Sequence, residues 1–229
     1  MKPTDPHPLS IGIIMDGNRR WAKARGLTTL EGHKQGYARL KDVIGWSRDA
    51  GVGTLTVYAF STENWDRAEE EVGYLMDLFR TVIAEVTKEA KEKNIRIIFL
   101  GQRERFAPDM QTAMNESEES TKSCTALILA VALSYGGRQE ILDAVHRIPA
   151  DQVAHISEEE FSNMLWTKDV IDPDLIIRTS GEERLSNFLP WQSVYSEFFF
   201  TKTLWPDFSK EEFFSIIEGY NERERRLGK

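Results

Sequence analysis

Cysteine is almost absent: Cys124 stands alone in 229 residues, so no disulfide can close within the chain and no Cys-x-x-Cys redox or zinc motif exists. Histidine is nearly as scarce, with four residues and no His-Glu-x-x-His pair. Long apolar runs are missing too. The longest, residues 126–133, falls far short of the roughly 18 residues that a membrane-crossing helix needs. The opening Met-Lys-Pro-Thr-Asp-Pro-His-Pro lacks the apolar stretch of a secretory signal, and a cytoplasmic location is expected. Positive charge is in deficit, with 29 Lys and Arg against 37 Asp and Glu, a formal net charge of −8 and a pI near 5.2. Such a chain is repelled overall by a polyphosphate backbone, which argues against a nucleic-acid partner, the Arg19–Arg25 stretch included. No GxGxxG, GxxxxGK[ST] or GxSxG occurs, so the common dinucleotide, P-loop and serine-hydrolase signatures are excluded.

What is present is an ordinary globular composition, 41% hydrophobic and 29% charged, sufficient at this length for a single domain over 1–229. Strand-length apolar runs recur at residues 11–15, 55–60, 95–100, 126–133, 175–177 and 198–200. Most are continuous rather than alternating, as in strands buried on both faces of a parallel sheet. Between them, Tyr37, Leu40 and Ile44 fall at helical spacing. So do Leu75, Phe79, Val82, Ile83 and Val86, and later Phe213, Ile216, Ile217 and Tyr220. Ser209 and Glu212 have capping-box spacing. The alternation predicts an α/β domain with a mostly parallel sheet of about six strands flanked by helices, and ligands at the carboxyl ends of the strands. The polar stretch 148–160 reads as a surface excursion.

The strand ends carry the chemistry. The first run leads into Asp16-Gly17-Asn18-Arg19-Arg20-Trp21, where a strand turns into a helix. Free N–H groups at such a start favour an anion, and the arginines add charge-assisted hydrogen bonds to phosphate. Asp16 would repel that phosphate unless a cation such as Mg²⁺ lies between them. Taken alone, the same residues read equally well as an N-cap with solvated arginines. The second run ends in Ser61, Thr62, Glu63, Asn64, Trp65 and Arg67. The acidic stretch 69–71 beyond it is expected to be the exposed first turn of a helix. The fifth run supplies Arg178, then Arg184, Ser186 and Asn187, a second phosphate clamp. Glu197 offers a second carboxylate. Among the histidines, His33 opens a helix between Gly32 and Gly36 and either faces the crevice or lies on the surface, whereas His146 and His155 read as surface residues. Three phosphate-suited strand ends and two carboxylates together point to two phosphorylated ligands and a divalent cation.

The blocks DGNRRW (16–21), GHKQG (32–36), FSTENWDR (60–67), SYGGRQEI (134–141), DLIIRTSGEERLSNFLPWQ (174–192) and SEFFFTKTLWPDF (196–208) resemble, in order, those of the cis-prenyltransferases, in particular their bacterial undecaprenyl diphosphate synthase branch. The likeness runs from residue 11 to the terminal Arg-Glu-Arg-Arg-Leu-Gly. It implies a homodimeric, Mg²⁺-dependent transferase that adds isopentenyl diphosphate repeatedly to farnesyl diphosphate, each new double bond being cis. It also implies an apolar tunnel between sheet and helices, and a cytoplasmic protein that touches the membrane only peripherally to release its product.

By that resemblance Asp16 and Asn64 are catalytic, Asp16 assisting diphosphate departure and metal binding, with Glu197 as a second metal residue. Gly17, Asn18, Arg19, Arg20, Trp21, His33 and Arg67 would hold the allylic diphosphate region, and Ser61, Thr62, Glu63 and Trp65 would also touch substrate. Arg178, Arg184, Leu185 and Ser186 would hold isopentenyl diphosphate. A neutral amide is no strong base, so Asn64 is expected to orient a proton that diphosphate or water accepts. Four positions depart from the family pattern: Thr29 where an Arg is frequent, Ala68 for Pro, Gln102 for Asp, and Glu183 for His. Two other readings are a synthase of different product length and a non-catalytic partner subunit. The latter is disfavoured by the retention of Asp16, Asn64, Arg178, Arg184 and Glu197.

Overall fold

The computed structural model describes residues 7–223; the end of the family likeness, residues 224–228, lies outside them. Six strands form one parallel sheet. In chain order the elements are β1 (Ser10–Ile14), α1 (Asn18–Ala24), α2 (Thr29–Asp49), β2 (Thr54–Ser61), α3 (Glu69–Glu92), β3 (Ile95–Leu100) and α4 (Pro108–Thr121). There follow β4 (Leu127–Tyr135), α5 (Gly137–Arg147), α6 (Glu158–Ser162), β5 (Leu175–Arg178), β6 (Glu197–Phe200) and α7 (Lys210–Glu222). The sheet order is β3-β4-β2-β1-β5-β6, and every pairing is parallel.

The continuous apolar runs are explained by burial on both faces. Ile11, Ile13, Leu55, Val57, Leu129, Leu175 and Ile177 join a core with α2, α3, α4 and α7. The intervening Ile14, Ala130, Ala132 and Ile176 pack on the opposite face against Phe188 and Leu189. β6 departs from that expectation. At the sheet edge it alternates, with Phe198 and Phe200 turned to solvent. Under α5, the fully buried Glu140 accepts hydrogen bonds from the Tyr135 hydroxyl, Thr167 and Gln192, which satisfy an otherwise costly carboxylate.

Helix starts follow their local chemistry. Thr28 and Glu31 form a capping box that starts α2 earlier than its apolar spacing implies. At α7 only half of the expected box forms. Ser209 Oγ accepts from the Glu212 N–H at 3.2 Å, but the Glu212 carboxylate turns to the hydroxyls of Thr201 and Thr203. No helix among the described residues is long and apolar enough to cross a membrane.

The chain leaves β1 towards β2 and leaves β5 towards β6, in opposite directions along the sheet. β1 and β5 are neighbours, so the crevice where α/β sheets place ligands opens beyond their carboxyl ends.

Candidate active site

Asp16 sits at that crevice. The following Gly17 has φ +113°, which side-chain-bearing residues rarely adopt, and a Cβ there would lie 3.0 Å from the Leu204 side chain. The turn is pinned at the Asp16 carbonyl, which accepts from Thr179 Oγ1 at 2.6 Å and from the Trp205 N–H at 3.0 Å. The carboxylate is then free to receive Arg178 Nη2 at 2.9 Å, with Arg20 at 3.4 Å. Gly17 itself is the N-cap of α1, so the capping role open to Asp16 is not taken. Burial works to raise the Asp16 pKa, but hydrogen bonding and charge from Arg178, with Ser180 and Arg20, outweigh it and hold the group below its ordinary range.

The Arg178 side chain is only 4% exposed. Its second branch donates to Ser186 Oγ at 2.8 Å and to the Arg184 carbonyl, so the guanidinium is locked in orientation with one edge on the crevice. Arg20 is clasped by Asp16, Glu182 and both oxygens of Ser180.

A second charged group lies across the opening. After β2 a short 3₁₀ turn, Thr62–Asp66, carries Asn64. The Asn64 Oδ1 accepts the Ser61 N–H at 3.1 Å. Beyond it the Glu71 carboxylate meets Arg67 at 2.9 Å, Arg19 at 3.6 Å and His33 Nε2 at 3.5 Å. Burial lowers the His33 pKa below the ordinary imidazole value, and the nearby Arg67 adds to that, against the pull of Glu71. α1 and α2 approach closely here because of two glycines. A Cβ on Gly32 would lie 2.4 Å from the Asn18 carbonyl oxygen, and one on Gly36 would lie 2.2 Å from Asn18 Oδ1.

Below these groups opens a cavity of about 620 Å³. Its mouth is lined by Asp16, Asn18, His33, Ser61, Glu63, Asn64, Arg67, Arg178 and Ser186. Its depth is apolar and runs between α3 and the sheet, past Leu75, Phe79, Val82, Ile83 and Val86 to Ile97, Leu129 and Val131. A polar, cation-rich rim over an apolar interior suits a ligand with a charged head and a hydrocarbon tail.

The prenyltransferase family model described as undecaprenyl diphosphate synthase matches residues 14–228. The chain belongs to the cis-prenyltransferase family. It is 49% identical over 226 residues to the isoprenyl transferase of Thermotoga maritima, covering 96% of this chain and 97% of that one. To the isoprenyl transferase of Fusobacterium nucleatum it is 48% identical over 221 residues, covering 96% of each. The crystal structure of lavandulyl diphosphate synthase from Lavandula x intermedia, in complex with dimethylallyl diphosphate, superposes with a TM-score of 0.87 at 34% identity, covering 97% of this chain and 98% of that one.

In this prenyltransferase chain several expected residues stand outside the cavity lining. The Trp21 indole N–H donates to Asp207 at 2.7 Å, beneath Arg25. Trp65 donates to Ser134 Oγ at 2.9 Å and packs edge-on to Phe60. Thr62 is buried, Leu185 packs against the smaller core cluster, and Arg184 is exposed and pairs with Glu182. Thr29 is the first residue of α2 and Ala68 the N-cap of α3, while Gln102 precedes a 3₁₀ turn and Glu183 is exposed. His146 and His155 are exposed, as expected.

Two readings change. Glu71 is not an exposed helix-start acid but a half-buried counter-ion to three basic groups; its spacing of four from Arg67 was the available signal. Glu197 does not join Asp16. Register pairs Leu175 with Glu197 and Arg178 with Phe200, so Glu197 lies at the amino end of its strand, about 10 Å of backbone from the crevice end. There its carboxylate binds Arg223 at 2.6 Å. Among the described residues no group of three His, Cys, Asp or Glu could hold a metal ion. Asp16 alone still fits Mg²⁺, which is commonly held by one or two carboxylates plus substrate phosphates.

Proposed function

We propose that this chain, as a single catalytic domain, condenses isopentenyl diphosphate repeatedly onto farnesyl diphosphate. The product is a long cis-polyprenyl diphosphate, undecaprenyl diphosphate for the cell-wall lipid carrier. The observation that carries this reading is the cavity itself: anion-binding groups at the mouth and an apolar interior, in a volume of about 620 Å³ that exceeds what two five-carbon units require.

In this reading the new carbon–carbon bond forms as the allylic carbon–oxygen bond breaks. Diphosphate leaves with the electron pair, and the isopentenyl unit loses a proton. Arg19, His33 and Arg67 receive the allylic diphosphate, while Arg178 and Ser186 grip isopentenyl diphosphate beside Asp16. Arg178 is already oriented beside Asp16, so little reorganisation is needed on that side as charge develops. Mg²⁺, held by Asp16 and diphosphate oxygens, would neutralise part of that charge. Asn64 spends its carbonyl oxygen on Ser61 N–H and therefore offers N–H donors to the cavity. Such an amide holds a diphosphate oxygen in place and cannot take the proton itself, which leaves diphosphate or water as the acceptor.

The exposed Val194, Tyr195, Phe198 and Phe200 beside the open edge of β6 support pairing with a second copy of the chain. A cytoplasmic protein with peripheral membrane contact follows from the greasy product. The test is incubation with farnesyl diphosphate, labelled isopentenyl diphosphate and Mg²⁺, with products resolved by length. Incorporation abolished by EDTA and ending at eleven isoprene units is expected. Another terminal length would retain the reaction and replace the product. No incorporation would overturn the proposal in favour of a non-catalytic partner subunit, and incorporation indifferent to EDTA would overturn its dependence on Mg²⁺.

A further inference from the structure

The two substrate grips stand on strands that do not touch. β1 lies between β2, whose following turn carries Asn64, and β5, whose following loop carries Ser186. No ladder hydrogen bond therefore fixes the spacing between those two loops. The Tyr58 hydroxyl of β2 reaches the Ser186 carbonyl at 3.3 Å, but the two loops themselves are joined by one side chain. Asn187 Nδ2 donates to Glu63 Oε1 at 3.0 Å and to Gln139 Oε1 at 3.0 Å. Its Oδ1 accepts from the Arg138 N–H at 2.9 Å, and its backbone carbonyl accepts from the Gly137 N–H at 2.8 Å.

The surrounding sequence accommodates this arrangement. Asn187 has φ +67°, the left-handed region that asparagine tolerates better than most residues. A Cβ on Gly136 would lie 2.7 Å from Asn187 Nδ2, so the glycine leaves room for the amide. Asn187 and Glu63 themselves line the cavity, beside Ser186 on one side and Asn64 on the other.

We infer that Asn187 is a positioning residue: its bond to Glu63 straps the allylic and isopentenyl halves of the site at reacting distance. The inference rests on the condensation proposed above. Reacting atoms must approach to about 3–3.5 Å, and a displacement of about 1 Å costs on the order of a hundredfold in rate. The strap acts on turnover more than on folding.

The experiment is a donor–acceptor exchange. Asn187→Asp sets two carboxylates against each other and should lower kcat by about 10- to 100-fold. Glu63→Gln alone, which also removes a charge from the cavity mouth, is the reference for the double variant and should lose less kcat than Asn187→Asp, because the new amide can still present its oxygen to Asn187. In the double variant the amide introduced in place of Glu63 donates to the carboxylate introduced in place of Asn187, and Gln139 turns its own amide, so most of the lost kcat should return. Melting temperatures are followed throughout, because a merely structural role would lower stability without rescue of kcat by the second substitution. Should Asn187→Asp fail to fold, Glu63→Ala cuts the same strap from its other end and should reproduce the kcat loss. Full activity in either strap-breaking variant, or a double variant as slow as Asn187→Asp, would overturn the strap alone. Wild-type protein that incorporates no isopentenyl diphosphate would overturn the strap together with the reaction.

Discussion

The two sides of the cavity mouth are built on different principles. On the β1/β5 side the two central charged groups are fixed by the fold. Arg178 is buried and doubly tied, and Asp16 is held through its own carbonyl by Thr179 and Trp205. On the α3 side Arg19, Arg67 and His33 converge on one exchangeable acid, Glu71, at the first turn of a helix. The first side is preorganised, so its contribution belongs to the rate. The second side is self-neutralised until a diphosphate replaces the carboxylate, so its contribution belongs to affinity.

The sharpest way to break this contrast is Asp16→Asn, expected to lower kcat by about 10²- to 10³-fold while the protein stays folded. Single-turnover kinetics and a melting curve check both halves. Because Arg178 and its neighbours hold the Asp16 pKa below the ordinary 3.8, its stabilising ion pairs are fully present above that pH. They are lost only as acid carries the pH down through the lowered value. Arg178→Lys should cost about 10- to 100-fold in kcat/KM for isopentenyl diphosphate, since an ammonium cannot bind Asp16 and Ser186 with two fixed branches. Retention of more than a third of wild-type activity would remove the distinction between the two sides.

Glu71→Gln should act in the opposite direction. Removal of the resident acid is expected to tighten binding of inorganic pyrophosphate by about 3- to 10-fold, the scale of a partly exposed ion pair. Titration calorimetry reads this directly, and weaker binding would show that Glu71 supports the site instead of competing for it. The smallest effect concerns His33. Its lowered pKa keeps the ring neutral at pH 7, so between that value and the ordinary 6.5 the unfolded chain binds more protons than the folded one. Stability contributed here falls as the pH drops through that window. Its removal in His33→Gln should flatten the decline of melting temperature between pH 7 and 5.

The fold was largely legible because five of the six strands are short apolar runs and turn chemistry marks their ends. α4 was not read, since its buried face pairs Met110 and Met114 with Ser117 and Thr121, too little apolar surface for a periodic signal. At the site, Asp16, Arg178 and Ser186 were legible as phosphate chemistry at strand ends. The place of Glu71 was obscured by Glu69 and Glu70, which suit an exposed first turn and mask a neighbour that turns inward. Glu197 misled for a topological reason. An acid at the start of a parallel strand lies at the far end from one that follows a strand, and only register reveals this. Asn187 was legible only as a member of a phosphate clamp, because the partners that give it its place lie 124 and 48 positions away.

The meeting of α1 and α2 at Gly32 and Gly36 has a bearing on variation in this enzyme family. Two missing methyl groups let Asn18 lie against a neighbouring helix, so a single added carbon at Gly32, which is outside the cavity lining, would shift a residue that is part of it. A survey of substitutions confined to groups that line the cavity would overlook Gly32. Part of what the site can recognise is therefore encoded as vacant volume behind it.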